Sequence, residues 1–233
     1  MNVTALIVAA GSSSRLTGQV PKQYREIAGR PLLSWTIDRF ERAESITEVV
    51  LVVAEEFLLF ASERVVDPFG FHKCKRILIG GEARQESVFK GLSNLPPTTD
   101  LVAIHDGARP LVTPSDIDRV VETARAEKGA LLATPINDTI KRAEGGYVIN
   151  TIDRSSLYCA QTPQVFDFQM ILESHRKAAE DSHTRFTDDA SIAEKAGHKV
   201  VLVETEFPNP KITTPADLEL VRLQLEKEQH VGD

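Results

Sequence analysis

A short apolar run, residues 4–9, stops at the stretch Gly11-Ser12-Ser13-Ser14, and that boundary constrains the fold more than any other feature of the chain. An unbroken apolar run of this length with β-branched members suits a strand covered on both faces, and the small residues after it suit a loop. Pro31 then opens a segment in which Leu33, Ile37 and Phe40 recur at helical spacing, and a second β-type run follows at residues 49–53. Strand, loop, helix, strand is a βαβ unit. The alternation continues through a strand-type run at 76–79, a helical segment at 83–94 and another strand-type run at 101–104. The pattern predicts an α/β fold, Rossmann-like, with a mostly parallel sheet flanked by helices.

Two helix starts share one pattern: Thr113-Pro114-Ser115-Asp116 and Thr214-Pro215-Ala216-Asp217 each offer a Thr cap, a Pro in the first turn and an Asp three positions after the cap. Residues 136–151 break the rhythm, with alternating residues around Gly145-Gly146 and no helical stripe, and read as a hairpin arm projecting from the sheet. The expectation is therefore one domain spanning residues 1–233, an arm at 136–154 within it, and a short charged tail after Gln224 that frays.

Composition narrows the function. A formal net charge of −7 argues against extended nucleic-acid binding, which needs a basic face to displace counterions. Apolar runs such as 5–9 and 49–53 fall far short of the roughly 20 residues a membrane span needs, and none follows a basic leader, so a cytoplasmic protein that binds no membrane is expected. Cys74 and Cys159 stand far apart with no metal-type spacing and are expected to be buried free thiols. An anionic ligand must then be held by a local cluster of cations.

In an open parallel sheet, ligands bind beyond the carboxyl ends of the strands. The loops there hold residues 11–22, 80–87 and 105–110, where glycines and charges concentrate. The first loop lets backbone N–H groups approach a polyphosphate and brings Arg15 and Lys22 to it. It matches neither the Walker pattern nor the dinucleotide Gly-x-Gly-x-x-Gly pattern. On these residues alone it reads equally as a nucleotide loop or as a turn carrying solvated charges.

A larger set breaks the tie: Ala9-Ala10-Gly11, Arg15, Pro21-Lys22-Gln23, Gly80-Gly81, Arg84, Ser87, His105-Asp106-Gly107-Ala108-Arg109-Pro110, Asp138-Thr139-Ile140-Lys141-Arg142, Thr162-Pro163-Gln164 and Thr187-Asp188-Asp189-Ala190-Ser191. Taken in order, these resemble the 2-C-methyl-D-erythritol 4-phosphate cytidylyltransferase family of the non-mevalonate isoprenoid pathway. The resemblance implies a fold of the nucleotide-diphospho-sugar transferase type and transfer of CMP from CTP to a small polyol phosphate, with release of pyrophosphate. It implies that Ala9, Ala10, Gly11, Gly81, Glu82, Ser87 and Asp106 bind CTP, and that Arg15, Lys22, Arg154 and Lys211 are catalytic. Asp106, Arg109, Thr139, Arg154, Thr162, Thr187 and Lys211 would hold the acceptor.

The resemblance further implies magnesium carried mainly by the CTP phosphates, with no protein ligand assigned to it, and a homodimer in which the arm carries Thr139 and Arg154 into the partner's site. Glu82 stands where the family favours Asp, and Ser13 where glycine is common. The residues themselves leave Thr162 and Thr187 open to a reading as loop caps, with Thr187 capping a helix, and treat His105 as a packed residue. Three other readings stand beside the first: a cytidylyltransferase for ribitol 5-phosphate or another polyol phosphate, one for a sugar 1-phosphate, and a non-catalytic nucleotide-binding subunit.

Overall fold

The computed structural model describes residues 1–11, 20–181 and 184–231. Strand β1 (Val3–Ala9) leads through the small hairpin β2 (Glu26–Ile27) and β3 (Arg30–Pro31) to helix α1 (Leu32–Arg42) and strand β4 (Glu48–Val53). The short α2 (Leu58–Phe60) runs into a wider helical turn, Ala61–Val66, before β5 (Cys74–Ile79), α3 (Arg84–Ser93) and β6 (Leu101–Asp106). Helix α4 (Pro114–Glu127), strand β7 (Gly129–Pro135), the hairpin β8 (Ile140–Glu144) and β9 (Tyr147–Ile152), and strand β10 (Tyr158–Asp167) follow. The chain closes with α5 (Phe168–Glu180), α6 (Asp189–Lys195), β11 (Val201–Glu204) and α7 (Pro215–Val231).

Seven strands form one sheet in the order β11-β7-β10-β6-β1-β4-β5, parallel except for β10, which is antiparallel to both neighbours. The alternation of the strands divides the core. Val3, Ala5 and Ile7 face α1 and α4 on one side, while Leu6, Val50 and Val52 face Val88 and Leu92 of α3 and Ile171 of α5 on the other. Each fully buried branched side chain of this kind contributes about 1.5–3 kcal/mol. The sheet therefore holds its strand ends rigidly, and the loops beyond them inherit fixed positions.

The paired helix starts form as expected. Thr113 Oγ1 accepts from the Asp116 N–H at 3.0 Å and Thr214 Oγ1 from the Asp217 N–H at 3.2 Å. The hairpin turns on Gly145 and Gly146 at φ 58° and 85°, a geometry that glycine adopts without cost. Among the described residues it pairs only with itself, as a two-stranded sheet of its own.

Three expectations need correction. The tail after Gln224 is helical through Val231, held by fully buried Leu225, by Glu228 against Arg39 at 2.5 Å and by Gln229 bonded to the Ala28 carbonyl. Cys159 is exposed and only Cys74 is partly covered, although both thiols are free. The cap of α6 is Asp188 in place of Thr187: its carboxylate accepts from the Ser191 N–H at 3.0 Å while the Ser191 hydroxyl receives the Asp188 N–H. Such a reciprocal box satisfies two helix-end donors at once, which Thr187, one residue earlier, cannot do.

Candidate active site

The ends of β6 and β1 lie side by side, with β5 one strand further on beyond β4, and the loops that follow β1 and β5 meet. Gln23 is buried in a short turn, Lys22–Tyr24, and its amide nitrogen donates to the Ala9 carbonyl at 2.8 Å and the Gly11 carbonyl at 2.9 Å. One side chain thus ties the chain after the loop to the strand end before it. Tyr24 anchors the turn by stacking on Phe57 with ring centroids 4.4 Å apart. Lys22, placed by that turn, donates to the Ile212 carbonyl at 2.5 Å. Arg15 and Ser13 lie outside the described residues.

The second loop touches the first. A Cβ on Gly80 would stand 2.6 Å from the Ala10 Cβ, so only glycine fits between them. Ser87 is buried, accepts from the Gly81 N–H at 3.0 Å and lies within 3.2 and 3.0 Å of the Gly81 and Ala83 carbonyls, which fixes the loop's shape. Glu82 is exposed, and its side chain is free of the hydrogen bonds that shape this loop; its N–H donates to Glu86. Of the residues expected at CTP, Ala9, Ala10, Gly11, Gly81 and Ser87 are brought together here, with Asp106 on the adjoining strand end.

Asp106 is the electrostatic centre. Its two carboxylate oxygens take Arg84 Nε and Lys211 Nζ, both at 2.8 Å, and Arg109 Nε stands 3.8 Å away. Burial alone would raise the Asp106 pKa, but the Arg84 and Lys211 charges and their hydrogen bonds outweigh it and hold the carboxyl far below the ordinary range. Arg84 is held strongly protonated: burial opposes its charge, but Asp189 and Asp106 more than compensate. Its second nitrogen reaches Asp189 at 2.8 Å, and the other Asp189 oxygen lies 3.1 Å from His175 Nε2.

The strand below is tied into the same network. Thr162 sits in β10, in the irregular stretch where the register to β7 shifts, and its Oγ1 accepts the Asp106 N–H at 3.1 Å. The hydroxyl also lies 3.1 Å from His105 Nδ1, while His105 Nε2 faces the Arg109 carbonyl at 3.1 Å. This network assigns a neutral imidazole that donates from Nε2, and burial in turn lowers its pKa to about 3. His105 is thus a packed residue against Phe40, and buried Thr162 supports Asp106 from behind. Arg109 donates to the Asn209 carbonyl at 2.7 Å, and the Asn209 amide donates to the Thr162 carbonyl at 2.9 Å.

Lys22, Asp106, Arg109, Thr162 and Lys211 are therefore gathered in one place. Thr139 and Arg154 are not: both are exposed at the base of the hairpin, and Arg154 donates to the Asn137 carbonyl. Among the described residues, no hydrogen bond or ion pair links either one to the Asp106 cluster. Thr187 is exposed just before the cap of α6. Arg84, Asp189, Gln23 and Asn209 are structural members of the site to which the sequence assigned no role. Gln23, Arg84 and Asp189 stood in the family-like stretches, and Arg84 carried a further signal, a cation in the first turn of a helix, where the macrodipole disfavours it; Asn209 carried none. Among the described residues, no group of three or more His, Cys, Asp or Glu side chains gathers as a metal cage.

The comparisons with known proteins agree on one family. A sequence model of the family described as 2-C-methyl-D-erythritol 4-phosphate cytidylyltransferase matches residues 3–227. A relative of that name from Caldanaerobacter subterraneus subsp. tengcongensis is 43% identical over 228 residues, covering 97% of this chain and 100% of the relative. The crystal structure of 4-diphosphocytidyl-2C-methyl-D-erythritol synthase from Anaerococcus prevotii superposes with a TM-score of 0.84 at 30% identity, covering 97% of this chain and 96% of that one. That of 2-C-methyl-D-erythritol 4-phosphate cytidylyltransferase from Thermus thermophilus gives 0.79 at 32% identity, covering 97% and 99%. In sequence over nearly its whole length, and in fold, the chain belongs to the 2-C-methyl-D-erythritol 4-phosphate cytidylyltransferase family.

Proposed function

We propose that this chain transfers CMP from CTP to 2-C-methyl-D-erythritol 4-phosphate, giving 4-diphosphocytidyl-2-C-methyl-D-erythritol and pyrophosphate, as a step of non-mevalonate isoprenoid synthesis. The observation that carries the reading is the meeting of two cations from opposite ends of the chain: Lys22 bonds the carbonyl of Ile212, the neighbour of Lys211, and Lys211 holds Asp106. A phosphate monoester oxygen attacks the α-phosphorus, the new P–O bond forms, and the bond to the β-phosphate oxygen breaks. The nucleophile is already ionised near neutral pH, with a second pKa of about 6, so no general base is required.

What the site must supply is positive charge as two anions meet. Lys22, with Arg15, serves the triphosphate. Lys211 and Arg109 serve the acceptor phosphate, and the half-exposed Lys211 can exchange Asp106 for a phosphate oxygen without leaving the crevice. Gly81 and Ser87 present backbone and hydroxyl groups to the cytosine edge, with Ala9, Ala10 and Gly11 bordering them. Magnesium fits this donor set as a passenger of the triphosphate, because among the described residues no metal-holding group of acidic side chains gathers at the strand ends and both Asp106 oxygens are engaged by cations. When bound, the ion neutralises charge on the phosphates.

The arm completes the reading. Tyr147, Val148 and Ile149 are 80%, 63% and 57% exposed in succession, an apolar tip that a partner subunit would cover. In a two-fold dimer, Thr139 and Arg154 would enter the partner's acceptor site, which accounts for their distance from the Asp106 cluster in their own chain. The enzyme would work in the cytoplasm, where CTP is drawn.

The test is pyrophosphate release with CTP and magnesium, offering methylerythritol phosphate and ribitol 5-phosphate in parallel. Turnover with methylerythritol phosphate is expected, and turnover with ribitol phosphate alone would overturn the acceptor assignment. Lys22→Ala should lower kcat by roughly a hundredfold or more, about 3–4 kcal/mol of transition-state stabilisation, with the fold intact by circular dichroism.

A further inference from the structure

We propose that Asp189, braced by His175, is a positioning residue that sets the acceptor-side cation Lys211 through Arg84 and Asp106. The inference rests on the reading of Lys211 as a ligand of the acceptor phosphate. Four consecutive contacts carry it: His175 Nε2 to Asp189 at 3.1 Å, Asp189 to Arg84 Nη2 at 2.8 Å, Arg84 Nε to Asp106 at 2.8 Å, and Asp106 to Lys211 Nζ at 2.8 Å. The chain of charges crosses α5, α6, α3, the end of β6 and the segment after β11.

The geometry of Arg84 is what makes Asp189 matter. A guanidinium beside one carboxylate prefers to give it two parallel hydrogen bonds. Here the fork is divided, one nitrogen to each Asp, so Asp106 keeps a free oxygen for Lys211. Without a charge at residue 189, Arg84 is released to close on both oxygens of Asp106 and displace the lysine. Asp189 is itself fixed, fully buried at the first position of α6, where the helix dipole favours a carboxylate. His175 is also buried, lying parallel to Phe89 at 6.5 Å between ring centroids, so the brace cannot drift. A carboxylate kept wholly out of water, and spent on an arginine of the site, is poorly explained by stability alone.

The experiment uses the full chain and compares Asp189→Asn, Lys211→Ala and the double variant by KM for acceptor, KM for CTP and kcat in the pyrophosphate assay. Asp189→Asn is expected to raise the acceptor KM about tenfold, the size of one lost charge-assisted hydrogen bond, and to leave the CTP KM within about twofold. In the Lys211→Ala background the same change should raise the acceptor KM no further, since the two residues act in series. Equal rises in both KM values, additive effects, or an unmoved acceptor KM would each overturn the proposal. A Lys211→Ala enzyme with an unaltered acceptor KM would instead remove Lys211 from the acceptor site, a failure of the underlying reading. Should Asp189→Asn not fold, His175→Phe must show the same selective rise while His175→Gln, which keeps a donor, stays near wild type; absence of that split also overturns it.

Discussion

Gly80 shows how tightly single residues are specified where the loops meet. A Cβ there would lie 2.6 Å from the Ala10 Cβ, 2.8 Å from Ser87 Oγ and 3.2 Å from Val52. We predict that Gly80→Ala pushes the first two loops apart, costing about 1–3 kcal/mol in urea unfolding and raising the KM for CTP more than that for the acceptor. Asp106 was legible because it stands at the end of a strand-type run, where chemistry collects in a parallel sheet, whereas Lys22 and Ser87, further along the chain from their strands, gained their roles only through the family resemblance. The partnership of Asp189, which stood in a family-like stretch without a role, with His175 was not legible. Their partnership with Arg84 spans 105 residues from Asp189 and depends on how α5 and α6 dock, which no local spacing encodes.

At the scale of elements, the apolar strand runs and the Thr-Pro-x-Asp helix starts announced themselves because each is satisfied locally. Strand β10 did not. It lies inside the sheet, yet Gln161, Thr162 and Gln164 interrupt its apolar run, and the Gln161 amide nitrogen, the Thr162 hydroxyl and the Gln164 amide are taken up inside by Thr134, Asp106 and Asp188. A strand whose polar residues are paid for by tertiary contacts looks like a loop in one dimension. The hairpin, in contrast, was visible from its Gly145-Gly146 turn, and its exposed tip invites a direct test. Ile149→Asp places a charge in the proposed subunit contact, and burying an unpaired charge is unfavourable enough to dissolve a modest interface. The expected outcome is a shift to monomer in sedimentation velocity together with loss of turnover; a fully active monomer would show that Arg154 and Thr139 are not shared between subunits.

The whole molecule should lose stability in acid in two stages. His105 is neutral in the fold, with a pKa lowered to about 3, whereas the unfolded chain takes up that proton below about 6.5. The unfolded state therefore binds more protons between those values, so stability is complete above the upper one and falls as pH descends toward the lower. Asp106 adds a second decline: its folded pKa is depressed, so its contribution is present above the ordinary value of 3.8 and is lost as the solution becomes more acidic still. Urea unfolding free energies measured from pH 8 to pH 3 should be flat at first, slope downward below about 6.5 and steepen near 4. His105→Gln should flatten the upper part of that slope while leaving the lower part. The contact from Lys22 to Ile212 joins residues 190 positions apart, and Lys211 stands beside it. Translation must therefore pass residue 211 before the nascent polypeptide gains the lysine that holds Asp106 opposite Arg84. A ribosome that stalls earlier leaves a fragment in which that charge cluster cannot close.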